Sequence, residues 1–246
     1  MGFPALLRRG ATAGAAAGVC AALVMWLVVE PVLRRALAVE AARGGHDHGE
    51  EPVVSRTVQV AGGLLTAVVV GVIVGVVFTV VFARLRPRLP AATDLGRSLV
   101  LAGTGFVVFA LLPAIQLPAN PPGVGDPATV GERTLIFALT VLLGLLGIGA
   151  VLAVDRALRS AVTVPVRVGL DVLAGVVWLV ALLVLVPDSP DRIPADVPAD
   201  LLWDFRVASL AQLAAMWLAL GVVFGVLVDG RTRRARRPGE AVPVPG

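Results

Sequence analysis

The stretch VQVAGGLLTAVVVGVIVGVVFTVVFA, residues 58–83, decides the fold. It contains no ionisable side chain and lies between Arg56 and Arg84. About 20 mainly apolar residues in a helix cross the roughly 30 Å of a bilayer's hydrocarbon. Its valines would favour strands in water. A membrane barrel strand, however, alternates in polarity and spans in about 10 residues, and this run does neither. In hydrocarbon a lone segment must close its own backbone hydrogen bonds, which a helix does.

Working outward, five more runs of the same kind lie near 10–29, 98–115, 134–153, 166–186 and 207–228. The expected fold is all-α: a polytopic membrane bundle of six transmembrane helices. It fills 1–230 and is followed by an Arg- and Pro-rich tail over 231–246. The first run could also be a signal peptide, since Arg8 and Arg9 precede it, but it is long and no A-x-A site follows. Glu30-Pro31 reads as its end at the interface, because Pro cannot donate to a helix.

Composition agrees. The 246 residues are 57% hydrophobic and 15% charged, with mean hydropathy +0.90. Soluble domains are about 45–50% apolar and roughly 25% charged. A soluble enzyme, a disordered chain and a disulfide scaffold are excluded, and the single Cys20 forms no intrachain disulfide. There is no phosphate loop, CxxC or nucleophile–base pair, so the chain does not read as an enzyme.

All 21 basic residues are Arg, and their distribution orients the chain. With both termini cytoplasmic, the inner segments hold 14 Arg against four acids, and the outer loops hold seven Arg against twelve acids. The net charge of +4 is therefore a topology signal and not a nucleic-acid footprint. The tail is expected to be a cytoplasmic end touching anionic lipid.

Chemistry is expected outside. The first outer loop holds both His of the chain in His46-Asp47-His48-Gly49-Glu50-Glu51. Imidazole and carboxylate together suit divalent transition metals. A solvated acidic loop is the plainer reading. The second outer loop, Gln116 to Pro127, is stiffened by four prolines and holds Asn120 and Asp126. The third runs from Asp188 to Asp204 with five Asp and leads into Trp203, an interfacial anchor. Asp204 and Arg206 are expected to start the last helix. Within the spans, Glu30, Gln59, Gln212 and Asp171 are the polar candidates. Asp171 either reaches the interface or pairs with Arg167 one turn earlier. Gly71 and Gly75, and Gly144, Gly147 and Gly149, are expected to let helices pack closely.

At these residues the chain resembles the CbtA family, probable cobalt transporter subunits. The matching features are Val29-Glu30-Pro31, the His-bearing acidic loop, and Pro118 through Pro122 with Val124-Gly125-Asp126-Pro127. Ile193-Pro194-Ala195-Asp196, leading to Asp200-Leu201-Leu202-Trp203-Asp204-Phe205-Arg206-Val207-Ala208-Ser209-Leu210, matches as well. The resemblance implies an inner-membrane component of cobalt uptake that works beside a small His-rich one-helix partner, CbtB. It also implies five spans, where hydropathy gives six.

The resulting expectation is an integral subunit of a divalent metal-ion uptake system. The ion, with cobalt the first candidate, would be captured by His46, Asp47, His48, Glu50 and Glu51 and passed between the helices by Glu30 and Gln59. The alternative is a non-transporting scaffold whose stiff loops dock a partner. A homo-oligomer is compatible with either, and no bound cofactor is expected.

Overall fold

The computed structural model describes residues 2–43 and 54–235. It contains α1 (Phe3–Val24), α2 (Glu30–Arg43), α3 (Arg56–Leu85), α4 (Asp94–Phe106), α5 (Leu112–Gln116), α6 (Val130–Leu158), α7 (Val164–Leu185) and α8 (Ala199–Ala235). No strand occurs among the described residues. Among the described residues, six helical stretches are long and apolar enough to cross a membrane, the number that hydropathy gives.

The first span corrects the expected helix end at Glu30-Pro31. The helix runs on to Arg43, joined through a π-helical turn at Met25–Val29. In a regular α-helix the Pro31 ring would meet the carbonyl four residues earlier. The π turn takes up one extra residue, and the Glu30 N–H bonds Met25 O, five residues back. The same device recurs where α4 leads through a π turn at Val107–Leu111 into Leu112-Pro113 of α5. In both spans the proline is the second residue after the π turn.

The last helix also starts earlier than expected, at Ala199 and not near Asp204. Asp200 lies in its first turn, where an acid is favoured by the helix dipole. The Asp-rich stretch that reads as loop is thus partly helix.

The chain divides into two compact units. In its described residues, the first comprises 2–31, 54–106 and 211–235. Here α1 lies along α3 with almost no side chains between them. A Cβ built on Gly14 would fall 2.3 Å from Gly71 O, and one on Gly75 would fall 2.3 Å from Gly10 O. Gly10, Gly14 and Gly18 recur every four residues, so all three face the partner helix. Small residues serve this purpose because lipid tails, as apolar as Leu, give helices no hydrophobic reason to associate. The unit's core adds Phe78, Phe82 and Phe224, with Phe224 edge-on to both other rings at 5.3 and 5.0 Å.

The second unit comprises 32–43 and 107–210 in its described residues. Its core is Leu112, Ile136, Leu182 and Val186. Trp178 of α7 lies over Gly147 of α6 and donates its indole N–H to Leu143 O at 2.9 Å. Gly144 meets Leu112 and Val108. Gly149, expected to pack closely, faces open space.

The outward faces are apolar. Val184 and Leu185 are 76% and 75% exposed, and Leu135 is 68% exposed. Continuous apolar surface on this scale is incompatible with water and matches a lipid environment.

Candidate functional site

Burying a polar group in a membrane bundle costs several kcal/mol unless it is bonded, so each buried polar side chain needs a partner. Two such groups bond their own helix: Thr79 donates to Gly75 O and Thr140 to Ile136 O, both at 2.8 Å. Ser98 donates to Gly221 O at 2.8 Å. Gln116 donates to Val186 O and Pro187 O, both at 2.8 Å. The buried carboxylates of Glu30 and Asp94 are held by arginines.

Glu30 is 3% exposed at the start of α2. Arg56, the first residue of α3, donates Nη2–H to Glu30 Oε2 at 2.5 Å. Its Nη1 donates to Gln59 Oε1 at 3.1 Å. Gln59 in turn donates Nε2–H to Val54 O at 3.1 Å. The structure therefore brings together Glu30 and Gln59, both singled out from sequence, around an arginine that was not. Arg56 reads in the sequence as one more loop charge. Its only signal is its place at the junction of the acidic loop and α3.

Asp94 opens α4 and is gripped by Arg86 through both carboxylate oxygens, with Arg97 Nη1 at 3.1 Å. Asp229 of α8 accepts the backbone N–H groups of Asp94 and Leu95, each at 3.1 Å. That carboxylate caps α4 from a distant part of the chain and adds the favourable charge of an acid at a helix N-terminus.

In the second unit, Asp191 ties the two proline-rich loops together. Its side chain is 3% exposed. It accepts from Arg133 Nη1 and Asn120 Nδ2, both at 3.1 Å, and from Thr129 Oγ1 at 3.0 Å. Arg206 donates to Asn120 Oδ1 at 3.2 Å and to Ala119 O at 3.4 Å. Gly125, at φ +111°, passes so close that a Cβ there would lie 3.3 Å from Asp191 Oδ2. Asp126 is a local cap, accepting from Ala128 N at 2.8 Å. Asp200 and Asp204 both pair with Arg35, at 2.8 and 2.7 Å. Trp203 is 68% exposed, as an interfacial anchor should be.

The expected pairing of Asp171 with Arg167 is not formed. The Arg167 head group lies 3.0 Å from Asp155 instead, and Asp155 also bonds Arg159 one turn on at 2.9 Å. Asp171 Oδ1 is buried without a hydrogen-bond partner. Gln212 is half-buried in α8.

His46, Asp47, His48, Glu50 and Glu51 lie outside the described residues. Among the described residues, no three His, Cys, Asp or Glu side chains converge as a metal site.

Six apolar helices, lipid-facing surfaces and buried charges held in arginine pairs define a multi-pass α-helical membrane protein. Over residues 3–229 the chain matches the model of the family described as probable cobalt transporter subunit (CbtA). The chain belongs to the CbtA family. No curated protein and no solved structure matches it. Family membership suggests a cobalt transporter subunit and a non-enzyme, and a subunit is consistent with a further chain beside it.

Proposed function

We propose that this chain is the membrane subunit of a divalent metal-ion uptake system, with cobalt as the ion, and that it captures the ion at its outer face. Both termini are cytoplasmic and the membrane is the plasma membrane. Capture falls to His46, Asp47, His48, Glu50 and Glu51, whose imidazole and carboxylate groups suit cobalt and its neighbours in the divalent series. Glu30 takes part once the ion has left the loop. The observation that supports this reading is the match to cobalt transporter subunits over nearly the whole chain, with both of its His concentrated in one acidic loop.

The test is cobalt binding to the full chain in lipid nanodiscs by equilibrium dialysis. Saturable binding is expected, with affinity at least tenfold weaker in the H46A/H48A double variant. Unchanged affinity in that variant would overturn the capture role.

A second reading is favoured by the bonding around Asp191. Two stiff loops held by Arg133, Asn120 and Thr129 form a rigid patch suited to docking a partner subunit, in the manner of the small His-rich one-helix chain that the family resemblance implies.

A further inference from the structure

We propose that the cavity between the two proline-rich loops and α6 seats the phosphodiester head group of a membrane phospholipid, held by Arg133. The site goes beyond the metal-uptake reading and does not depend on it.

The cavity has a volume of about 390 Å³ and lies wholly within the second unit. Residues 117–120 of one loop, Ser189 and Asp191 of the other, and the first two turns of α6 form its walls. Its polar wall centres on Arg133, whose side chain is 34% exposed. Asp191, with its side chain 3% exposed, holds that guanidinium through Nη1 alone, at 3.1 Å. Nε and Nη2, the side-on edge of the guanidinium, take no partner among the described residues. Asp191 is itself fixed by Asn120 and Thr129, so Arg133 is positioned before a ligand arrives. Two parallel N–H groups on a planar fork match two phosphate oxygens, a geometry that Lys does not offer. Ser189 adds a donor, because its Oγ accepts from Asp191 N at 3.4 Å and its O–H remains to be given.

Depth selects a lipid over a soluble phosphate. The apolar run of α6 begins near residue 134. Arg133 therefore stands at head-group level, and Phe137, one turn on, lies about 6 Å further toward the hydrocarbon. Phe137 lines the same cavity and is 43% exposed. A ligand here meets a guanidinium fork at one end and apolar surface at the other, the division found within a phospholipid. Charge selects the head group. Asp191 already neutralises Arg133, and Asp188, next in the chain to Ser189, is exposed. No net positive charge is left to favour an anionic lipid, whereas Asp188 suits an ammonium beside the phosphate. Phosphatidylethanolamine has both groups.

The test is native mass spectrometry of the full chain, delipidated in detergent and titrated with phosphatidylethanolamine, with far-UV circular dichroism as the check on folding. One saturable lipid should bind the wild type. R133K keeps a cation for Asp191 but removes the fork, and should weaken that binding at least tenfold. T134F fills the cavity from a side chain bonded only to its own helix, at Val130 O, and should weaken binding equally. It decides the matter should R133K not fold. R192K, at an exposed arginine outside the cavity, should change nothing. Unchanged binding in folded R133K or T134F, or an equal loss in R192K, would mean annular lipid only and would overturn the site. Displacement of the lipid by an equal concentration of water-soluble glycerophosphoethanolamine would overturn the lipid as occupant. Tighter binding of phosphatidylglycerol than of phosphatidylethanolamine would overturn the choice of head group.

Discussion

Replacing Gly14 by Ala tests the packing that joins α1 to α3. The added methyl would fall 2.3 Å from Gly71 O, 3.0 Å from Gly71 C and 3.0 Å from Gly75 Cα, where ordinary contact begins at 3.4 Å. All three atoms are backbone, so no side chain can turn aside, and the helices must separate locally by about 1 Å. A gap of that size forfeits a quarter to a half of each dispersion contact along the seam. Overpacking of this kind costs about 1–3 kcal/mol. The upper part of the range fits here, because the obstacle is main chain on both sides. Ala gains about 1 kcal/mol over Gly in helix propensity, which leaves a net loss of about 2 kcal/mol. Gly149, whose Cβ would meet nothing within 4 Å, supplies the control. Gly149→Ala should be neutral or slightly stabilising. Unfolding of the detergent-solubilised chain by added SDS, followed by circular dichroism, should rank Gly14→Ala well below wild type and Gly149→Ala at or above it. Equal midpoints for the two variants would refute the close-packed seam.

Two further substitutions probe the bonded carboxylates. Asp229→Asn keeps the shape of the α4 cap but removes its charge and one acceptor oxygen, and should cost about 1 kcal/mol in the same SDS titration. Asp191→Asn leaves Arg133 without its carboxylate and removes the acceptor that serves Asn120 or Thr129. With Arg133 partly solvated the loss should be about 2 kcal/mol, and hydrogen exchange should show faster opening of the loop over residues 117–126.

The number and placement of the helices were legible because lipid imposes one requirement, an uninterrupted apolar stretch long enough to cross, and hydropathy reads it directly. The ends were less so. Pro31 carries a helix-stop signal, and only the π register at Met25–Val29 lets the chain continue past it. Asp200 and Asp204 look like loop residues, yet Arg35 partners them from α2, which no local pattern reveals. The four-residue spacing of Gly10, Gly14 and Gly18 was present in the sequence and stands as a readable sign of close packing, although only Gly71 and Gly75 on the facing helix were singled out.

The site divides the same way. Glu30 was identifiable as an ionisable group in a span, because such groups are costly. Arg56 was not, since its partner lies 26 residues away and its type is common to every loop here. Asp191 was one acid among several in its stretch, and became distinct only when Asn120, 71 residues earlier, was found bonded to it. Hydrogen bonds between distant loops follow from the fold and leave no periodic trace.

Cobalt accumulation by whole cells tests the central claim most directly. Cells carrying the complete uptake system, with this chain either wild type or H46A/H48A at equal membrane abundance, would be supplied with trace radiolabelled cobalt and their initial uptake compared. The account predicts that the double variant falls at least tenfold, toward the rate of cells lacking the chain. Uptake equal to wild type would contradict it.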